Sequence, residues 1–183
     1  QKSKTGLKFN NKFKIIEFSH VYFKYGPNEP YILEDINLTI ERGKSYAFVG
    51  INGAGKTTIV KLLLNLYRPT SGRITIDGVD INKFAVEEYW KNIGAVFQEF
   101  IQYPFDVNHN IGFGCVEKGF DSECIKDAAK KSGAYEFVSK LKNGFETNLK
   151  KGWEESTQLS LGQWQKIAIS RVFMEDFPIL VLD

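Results

Sequence analysis

The chain has 183 residues, of which 43% are hydrophobic, and a formal net charge of +2. This length and composition can bury the core of one domain, or of one domain with a smaller lobe, and they exclude a wholly disordered chain. The near balance of charge gives no bulk argument for a nucleic-acid partner. Two cysteines, Cys115 and Cys124, are too few for a disulfide framework, which is typical of a reducing compartment.

Residues 1–14 form a basic segment with five lysines and no acidic residue, so the rest of the chain carries a net charge of −3. The segment lacks the apolar centre of a signal peptide. No other stretch approaches the ~18 uncharged apolar residues of a membrane span. We interpret residues 1–14 as a linker or tail that is either solvated or lies beside a membrane surface. Its lysines are Lys2, Lys4, Lys8, Lys12 and Lys14.

The first elements along the chain are predicted to be strands. Residues 21–25 and 36–40 are rich in aromatic and β-branched side chains, and the Gly- and Pro-containing stretch 26–30 between them predicts a loop. Residues 41–44 predict a turn. The short apolar run 45–49 that follows predicts a buried strand.

A glycine-rich loop comes next, and the apolar periodicity after it predicts a helix from Lys56 to about Tyr67, ended by Pro69. Asp77-Gly78, flanked by β-branched runs, predicts a hairpin. Residues 93–97 predict another buried strand.

The second half of the chain changes to helical spacing. Residues 121–141 predict two helices separated at Gly133, and Gly144 follows them. Residues 162–173 predict one more helix, and the run 179–182 predicts a last buried strand. The fold class indicated is α/β with an inserted helical lobe at about 105–160.

The strongest motif is the run Gly50-Ile51-Asn52-Gly53-Ala54-Gly55-Lys56-Thr57-Thr58, which matches G-x-x-x-x-G-K-[ST]. It lies after a predicted strand and before a predicted helix, where the mechanism requires it. Glycines let backbone N–H groups point inward and, with the helix N-terminus, form a positive concavity for β- and γ-phosphates. Lys56 adds a charge on the phosphates, and the Thr57 hydroxyl is available to Mg²⁺.

A second motif, Leu159-Ser160-Leu161-Gly162-Gln163, narrows the class of nucleotide-binding protein. Ser160 and Gln163 have the spacing of a capping box at a helix N-terminus, which is a second anion site. Together with the loop, this run resembles the signature of ATP-binding cassette (ABC) proteins, usually LSGGQ. The resemblance covers about residues 15–183 and departs from the family pattern at Leu161, where a glycine is usual.

The resemblance implies a fold with a P-loop NTPase core, an antiparallel β subdomain and an inserted α-helical subdomain, preceded by the tail at 1–14. In the family, the signature faces the γ-phosphate bound by a partner subunit through positions that match Ser160 and Gly162. The family therefore implies a head-to-tail dimer, here a homodimer, with two ATP molecules at the interface.

Other positions match the family in chain order. Tyr25 resembles the aromatic residue that stacks on adenine, and Gln98 resembles the Q-loop glutamine that reaches Mg²⁺ and the attacking water. Asp183, after four apolar residues, resembles the Walker B aspartate that holds Mg²⁺. Residues 110–114 and 144–147 resemble the corresponding segments of exporter-type cassettes. Trp164, after the signature, resembles the residue found there in a bacterial subset that includes peptide and bacteriocin exporters.

The resemblance thus implies ATP and Mg²⁺ as cofactors and three overlapping sets of site residues. The catalytic set is Lys56, Gln98 and Asp183, and the metal-binding set is Thr57, Gln98 and Asp183. The nucleotide-binding set is Tyr25, Gly50, Ile51, Asn52, Gly53, Ala54, Gly55, Lys56, Thr57, Thr58, Gln98, Ser160, Gly162 and Gln163.

The implied function is the ATP-binding domain of an exporter-type ABC transporter, which couples MgATP binding and hydrolysis to transport. Its partners would be a second nucleotide-binding domain and a transmembrane domain, with no nucleic acid. The domain itself would lie at the cytoplasmic face of the membrane. The family places a catalytic glutamate directly after Asp183, where this chain ends. We therefore expect the 183-residue chain to bind MgATP and to hydrolyse it poorly.

Three alternatives stay open at this point. A soluble ABC ATPase acting on DNA or ribosomes shares both motifs, although no sustained heptads separate Lys56 from Ser160. A small-molecule kinase shares the loop and leaves the signature unexplained. The chain could also act only as an ATP-gated dimerisation module.

Overall fold

The computed structural model describes residues 6–150, 152 and 156–183. Lys2 and Lys4 of the basic tail and residues 151 and 153–155 of the proposed helical lobe lie outside the described residues. The chain divides into two compact units, Gln1–Ile93 and Gly94–Asp183. The boundaries predicted from sequence, at 15 and at about 105–160, stay predictions.

The first unit is built on an antiparallel sheet with the strand order β2-β1-β3-β4. Its central strand, β1 (Ile15–Phe23), pairs on one side with β2 (Leu33–Glu41) and on the other with β3 (Ser71–Ile76). Side chains of β1 alternate between buried and less buried because successive residues of a strand point to opposite faces. The strand predicted at 36–40 is thereby confirmed with wider bounds, and the strand predicted at 21–25 is confirmed with an earlier start and an end at Phe23.

The predicted hairpin is confirmed. β3 turns at Asp77 and Gly78 into β4 (Val79–Asp80), and Ile76 lies opposite Val79. Asp77 and Gly78 have φ angles of +47° and +79°, the left-handed pair that a tight two-residue hairpin requires.

The buried strand predicted at 45–49 is wrong. This segment has no regular secondary structure, all of its residues are exposed, and Val49 is 95% exposed. An apolar run becomes a buried strand only where neighbouring strands accept its hydrogen bonds and other elements cover its faces. Among the described strands, none pairs with residues 45–49.

The helix predicted from Lys56 is confirmed at its start and wrong at its end. α1 comprises Lys56–Leu63 and stops before Tyr67. Asn65 has a φ angle of +53°, and its side-chain amide donates to the Ile81 carbonyl at 3.3 Å. Asparagine tolerates the left-handed conformation that ends a helix, so α1 stops well before Pro69.

Two more elements complete the first unit, the 3₁₀ turn Ile81–Lys83 and the short helix α2 (Val86–Trp90). α2 is tied to α1 by its Tyr89 hydroxyl, which donates to the Leu63 carbonyl at 2.6 Å. The buried core includes Ile16, Phe18, Val21, Phe23, Leu62, Ile74, Ile76, Ile81 and Tyr89.

The second unit is mainly helical. Its helices are α3 (Val107–Gly112), α4 (Ser122–Ser132), α5 (Tyr135–Val138) and α6 (Leu161–Val172), with 3₁₀ turns at Val116–Lys118 and Gly144–Glu146. Gly133 ends α4 with a φ angle of +71°, as its position between two helical patterns predicts. The core of these helices includes Val107, Ile111, Ile125, Ala128, Val138, Trp164 and Ile167.

A two-stranded sheet of β5 (Ile93–Val96) and β6 (Ile179–Leu182) packs with this unit. The Asp183 amide donates to the Val96 carbonyl at 2.9 Å, which joins the ends where both strands finish, so the strands run in the same direction. Both predicted strands are confirmed. The burial predicted for 179–182 is half wrong, because Leu180 and Leu182 are 44% and 56% exposed on the face that no described element covers.

The described helices are all too short or too polar for a membrane crossing.

Candidate functional site

The phosphate loop (residues 50–58) depends on glycine backbone geometry. Gly53 and Gly55 have φ angles of +82° and +85°, a region that other residues rarely adopt. A Cβ at Gly55 would lie 2.6 Å from Leu33 Cδ2 and 3.2 Å from the Ile32 carbonyl oxygen. Gly55 therefore lets the loop pass close to the start of β2.

Among the described residues, none provides a side-chain cap for the N-terminus of α1. Its N-cap is Gly55, no side chain caps it, and no acidic residue lies in its first turn. The first N–H groups of a helix lack intrahelical partners and carry the positive end of the helix dipole. This end of α1 is thus suited to an external anion.

Lys56 folds back over the phosphate loop. Its ammonium group donates to the carbonyl oxygens of Gly50 and Ile51 at 2.9 and 2.8 Å. The positive charge is held at the mouth of the loop, beside the helix N-terminus. The two threonines that follow face different environments, since Thr57 is exposed and Thr58 is buried.

The predicted adenine-stacking residue lies next to this loop. The Tyr25 hydroxyl and the Thr58 hydroxyl are 3.3 Å apart. The Tyr25 ring packs edge-on against Phe23 and Tyr67, with centroid distances of 4.9 and 5.2 Å, yet Tyr25 stays 43% exposed. Lys61 Nζ lies 5.7 Å from the centre of the same ring. The sequence predicts Tyr67 only as the end of a helix and does not indicate its contact with the Tyr25 ring.

The signature turn (residues 159–163) forms the predicted capping box. The Gln163 amide donates to the Ser160 hydroxyl oxygen at 3.3 Å, and the Ser160 amide donates to Gln163 Oε1 at 2.9 Å. Within the part of the chain that the structure describes, the Ser160 hydroxyl has no acceptor for its own proton. It can therefore donate to an external anion while it caps α6.

Two exposed residues follow Ser160 at the start of α6. Gly162 faces open space, because a Cβ there would meet no atom within 4 Å. Leu161 is 71% exposed and lies at the edge of a cavity of about 540 Å³. That cavity is lined by Gln102, Tyr103, Pro104, Leu149, Lys150, Gln158, Leu159, Leu161 and Trp164.

Gln98 and Asp183 follow the two strands of the second unit. Gln98 is exposed two residues after β5 ends, and Asp183 is exposed directly after β6. Because the Asp183 amide donates to the Val96 carbonyl, both residues lie at the same edge of the two-stranded sheet. An amide oxygen and a carboxylate at one edge are hard donors of the kind that Mg²⁺ binds.

Sequence reasoning also missed a network behind Gln98. The Arg171 guanidinium on α6 donates to the Ile101 carbonyl at 2.7 Å, and to the Asn110 carbonyl and side-chain oxygen at 2.8 and 2.9 Å. Its carbon lies 4.7 Å from the centre of the Tyr103 ring. Burial lowers the pKa of Arg171 from its ordinary value. A charged residue among apolar neighbours in the predicted helix was the available signal.

Comparisons with known proteins agree with the motifs. A family model described as ABC transporter matches residues 33–183. The structure of a bacterial Atm1-family ABC exporter with ATP bound is similar to this chain, with a TM-score of 0.87 and 30% sequence identity. The match covers 100% of this chain and 31% of the exporter chain. The predicted α/β fold class, with its P-loop core, antiparallel β subdomain and inserted helical subdomain, is confirmed by this match.

Curated relatives extend the comparison. Proteins of Staphylococcus aureus strains NCTC 8325 and RF122, both named as multidrug export ATP-binding/permease proteins, are 40% and 39% identical over 168 residues. Those residues make up 92% of this chain and 28% of each relative. The chain thus spans little more than a quarter of the length of the relatives that it matches.

Proposed function

Because the chain belongs to the ABC transporter family, we propose that it is the ATP-binding domain of an exporter and couples MgATP binding and hydrolysis to transport. The observation that carries this proposal is the pair of helix N-termini, one behind the phosphate loop and one behind the signature turn. Each is proposed to contact phosphate, and they lie in different units of the chain.

The phosphate loop is proposed to hold the β- and γ-phosphates. Its N–H groups and the uncapped end of α1 would receive the phosphate oxygens, and Lys56 would exchange its contacts with Gly50 and Ile51 for contacts with them. Tyr25 would stack on the adenine with the ring face that Phe23 and Tyr67 leave uncovered. These packed neighbours hold the ring without covering it.

Thr57, Gln98 and Asp183 are the proposed Mg²⁺ ligands. All three are exposed and offer hydroxyl, amide or carboxylate oxygen, the donor set that Mg²⁺ prefers. When bound, the ion supplies charge neutralisation between the phosphates. Gln98 is further proposed to orient the attacking water, as its resemblance to the Q-loop glutamine implies.

The signature turn is proposed to act on the nucleotide of a second copy of the chain. Ser160 would donate its hydroxyl proton to the γ-phosphate, Gln163 would hold the turn, and Gly162 would allow close approach of the backbone. This arrangement needs a head-to-tail homodimer with two ATP molecules. ATP would close the dimer and hydrolysis would reopen it.

The further partner is a transmembrane domain, which the relatives named as ATP-binding/permease proteins support. The proposal places this chain at the cytoplasmic face of the membrane and assigns it no nucleic-acid partner. The poor hydrolysis expected of the 183-residue chain stays a prediction. The proposal includes ATP hydrolysis by the whole transporter and export of a substrate, whose class it does not name.

Nucleotide titration tests the proposed function. The chain is titrated with a fluorescent ATP analogue in the presence of Mg²⁺, beside the Lys56→Ala variant. Loss of a charged hydrogen-bond donor at the phosphates is expected to raise the dissociation constant at least about tenfold. Lys126→Ala on α4, which removes a half-buried lysine paired with Glu123, is the matched control and should bind as the wild type does.

Two results would contradict the proposal. Equal dissociation constants for the wild type and Lys56→Ala would show that the phosphate loop does not bind the phosphates as proposed. A phosphorylated acceptor molecule, instead of bound ATP or of ADP with inorganic phosphate, would indicate a small-molecule kinase.

A further inference from the structure

We infer that Arg171 is a positioning residue that holds the loop carrying Gln98 against α6, the helix that begins at the signature turn. The inference rests on the proposed role of Gln98 and names a residue that acts through it. It concerns only the second unit of the chain, and all of the contacts that carry it lie there.

The loop with Gln98 is fixed at both ends. At its start, the Val96 carbonyl accepts from the Asp183 amide at 2.9 Å. At its end, the Ile101 carbonyl accepts from Arg171 Nη1 at 2.7 Å. Only residues 97–100 lie between these anchors, so the position of Gln98 depends on both of them.

Asn110 supports the second anchor, the hydrogen bond from Arg171 to the Ile101 carbonyl. It is fully buried, and its side-chain amide lies within 3.0 to 3.2 Å of the carbonyl oxygens of Tyr103, Phe105 and Asp106. Its own carbonyl and side-chain oxygen accept from Arg171 Nε and Nη2. The segment that follows Gln98 is therefore bonded to α3 and α6 through one continuous network.

The chemistry of this position favours arginine. Among the described residues, no carboxylate contacts Arg171, and its charge is met by carbonyl oxygens and the face of the Tyr103 ring. An apolar residue would fill the same space without the desolvation of a charge. The planar fork can serve Ile101 and Asn110 at once, whereas a lysine offers a single ammonium group.

The network links two proposed site elements. Ser160 caps the start of α6, and Arg171 lies near its end, about 16 Å away at 1.5 Å of rise per residue. A helix of this length moves as a rigid element. The network thus connects the Gln98 loop to the helix that begins at the signature turn.

The test is a double-mutant cycle with Arg171→Met and Gln98→Ala, read as the Mg²⁺ concentration that gives half-maximal binding of the fluorescent ATP analogue. If Arg171 acts by positioning a metal ligand, Arg171→Met raises this concentration about tenfold. The same substitution then has little further effect in the Gln98→Ala background, because the group it positions is already gone. Lys131→Met on α4, which removes a cation paired with Asp127, is the control and leaves the concentration unchanged.

Amide hydrogen exchange without nucleotide gives a second readout. Arg171→Met is expected to speed exchange of the Phe105 and Val107 amides, which donate to the Tyr103 and Thr147 carbonyls beside this network, while the middle of α6 keeps its protection. Arg171→Lys keeps the charge and the long stem, and it is expected to behave like Arg171→Met because it cannot serve both anchors. This variant decides the question if Arg171→Met fails to fold.

The inference would be overturned if the fold-changes of the two single variants multiply in the double variant, or if exchange of the Phe105 and Val107 amides is unchanged. Failure of the proposed function would show differently. The wild-type chain would then bind no nucleotide, and the exchange experiment alone would still support or overturn the hold of Arg171 on the loop.

Discussion

The phosphate loop and the signature turn each lead into a helix N-terminus, and the two N-termini differ in whether a side chain caps their N–H groups. α1 follows Gly55, and no side chain of the described residues caps it. α6 follows Ser160, which forms a reciprocal capping box with Gln163. The first N-terminus is left without a side-chain cap, and the second is capped and offers one hydroxyl proton beside an exposed glycine.

A third helix marks the limit of this comparison. α4 is capped by Asp121, whose carboxylate accepts from the Cys124 amide at 2.8 Å. A negative side chain already occupies this N-terminus, so a phosphate would be repelled there. The N-terminus of α4 is therefore unsuited to a phosphate, in contrast to the N-termini of α1 and α6.

The largest expected effect is that of Gly55→Ala. The residue has a φ angle of +85°, and a Cβ would press on Leu33 and the Ile32 carbonyl. We expect a loss of about 1–3 kcal/mol in the free energy of unfolding and a loss of ATP binding. Gly53→Ala has similar strain and no atom within 4 Å of the Cβ, so it should lose less stability in the same denaturant titration. Equal losses would contradict the close approach at Gly55.

Substitutions at Ser160 distinguish its role as a helix cap from its proposed contact with phosphate. Ser160→Ala removes the cap and should lower the free energy of unfolding by about 1 kcal/mol. Ser160→Asp keeps a cap and should retain stability, because aspartate is as good an N-cap as serine. Both variants should lose ATP-dependent dimerisation, which analytical ultracentrifugation measures. A Ser160→Asp chain that dimerises like the wild type would exclude a phosphate at this turn.

Gly162→Ala is expected to raise stability and weaken dimerisation. Alanine is favoured over glycine in helices by up to about 1 kcal/mol, and the new Cβ meets no atom of the chain. On the exposed face, the same methyl group would hinder close approach of a second chain. Thermal unfolding and sedimentation together check the two signs, and unchanged dimerisation would show that this face stays open in the dimer.

The smallest effect concerns pH. The hydrogen bond from the Cys124 amide lowers the pKa of Asp121 below its ordinary value of 3.8. Its stabilising contribution is complete above pH 3.8 and is lost as the pH falls through the lowered pKa. Asp121→Ser should remove this part of the acid sensitivity in urea titrations between neutral and acidic pH. The neutral cap at Ser160 should add none, so a larger change in Ser160→Ala would argue against this account.

What the sequence predicted well is local. The glycine loop, the capping box of Ser160 and Gln163, and the Asp77-Gly78 hairpin each depend on residues within a few positions of one another. Backbone conformation and short-range hydrogen bonds fix such features. The structure therefore agrees with them almost residue by residue.

What the sequence missed depends on distant partners. Residues 45–49 have the composition of a buried strand, and no described strand pairs with them. The periodicity after Lys56 gave no sign of the left-handed Asn65, whose side chain bonds to Ile81. Arg171 contacts Ile101 and Asn110 across 70 and 61 positions, a pairing that no local pattern contains.

Mixing two defective chains tests the central claim most directly. Lys56→Ala chains keep an intact signature turn, and Ser160→Asp chains keep an intact phosphate loop. Light scattering in MgATP is expected to find each variant monomeric alone and to find dimers in the mixture, because a mixed head-to-tail pair contains one complete site. A mixture that stays monomeric while the wild type dimerises would contradict two complementary anion sites on one chain.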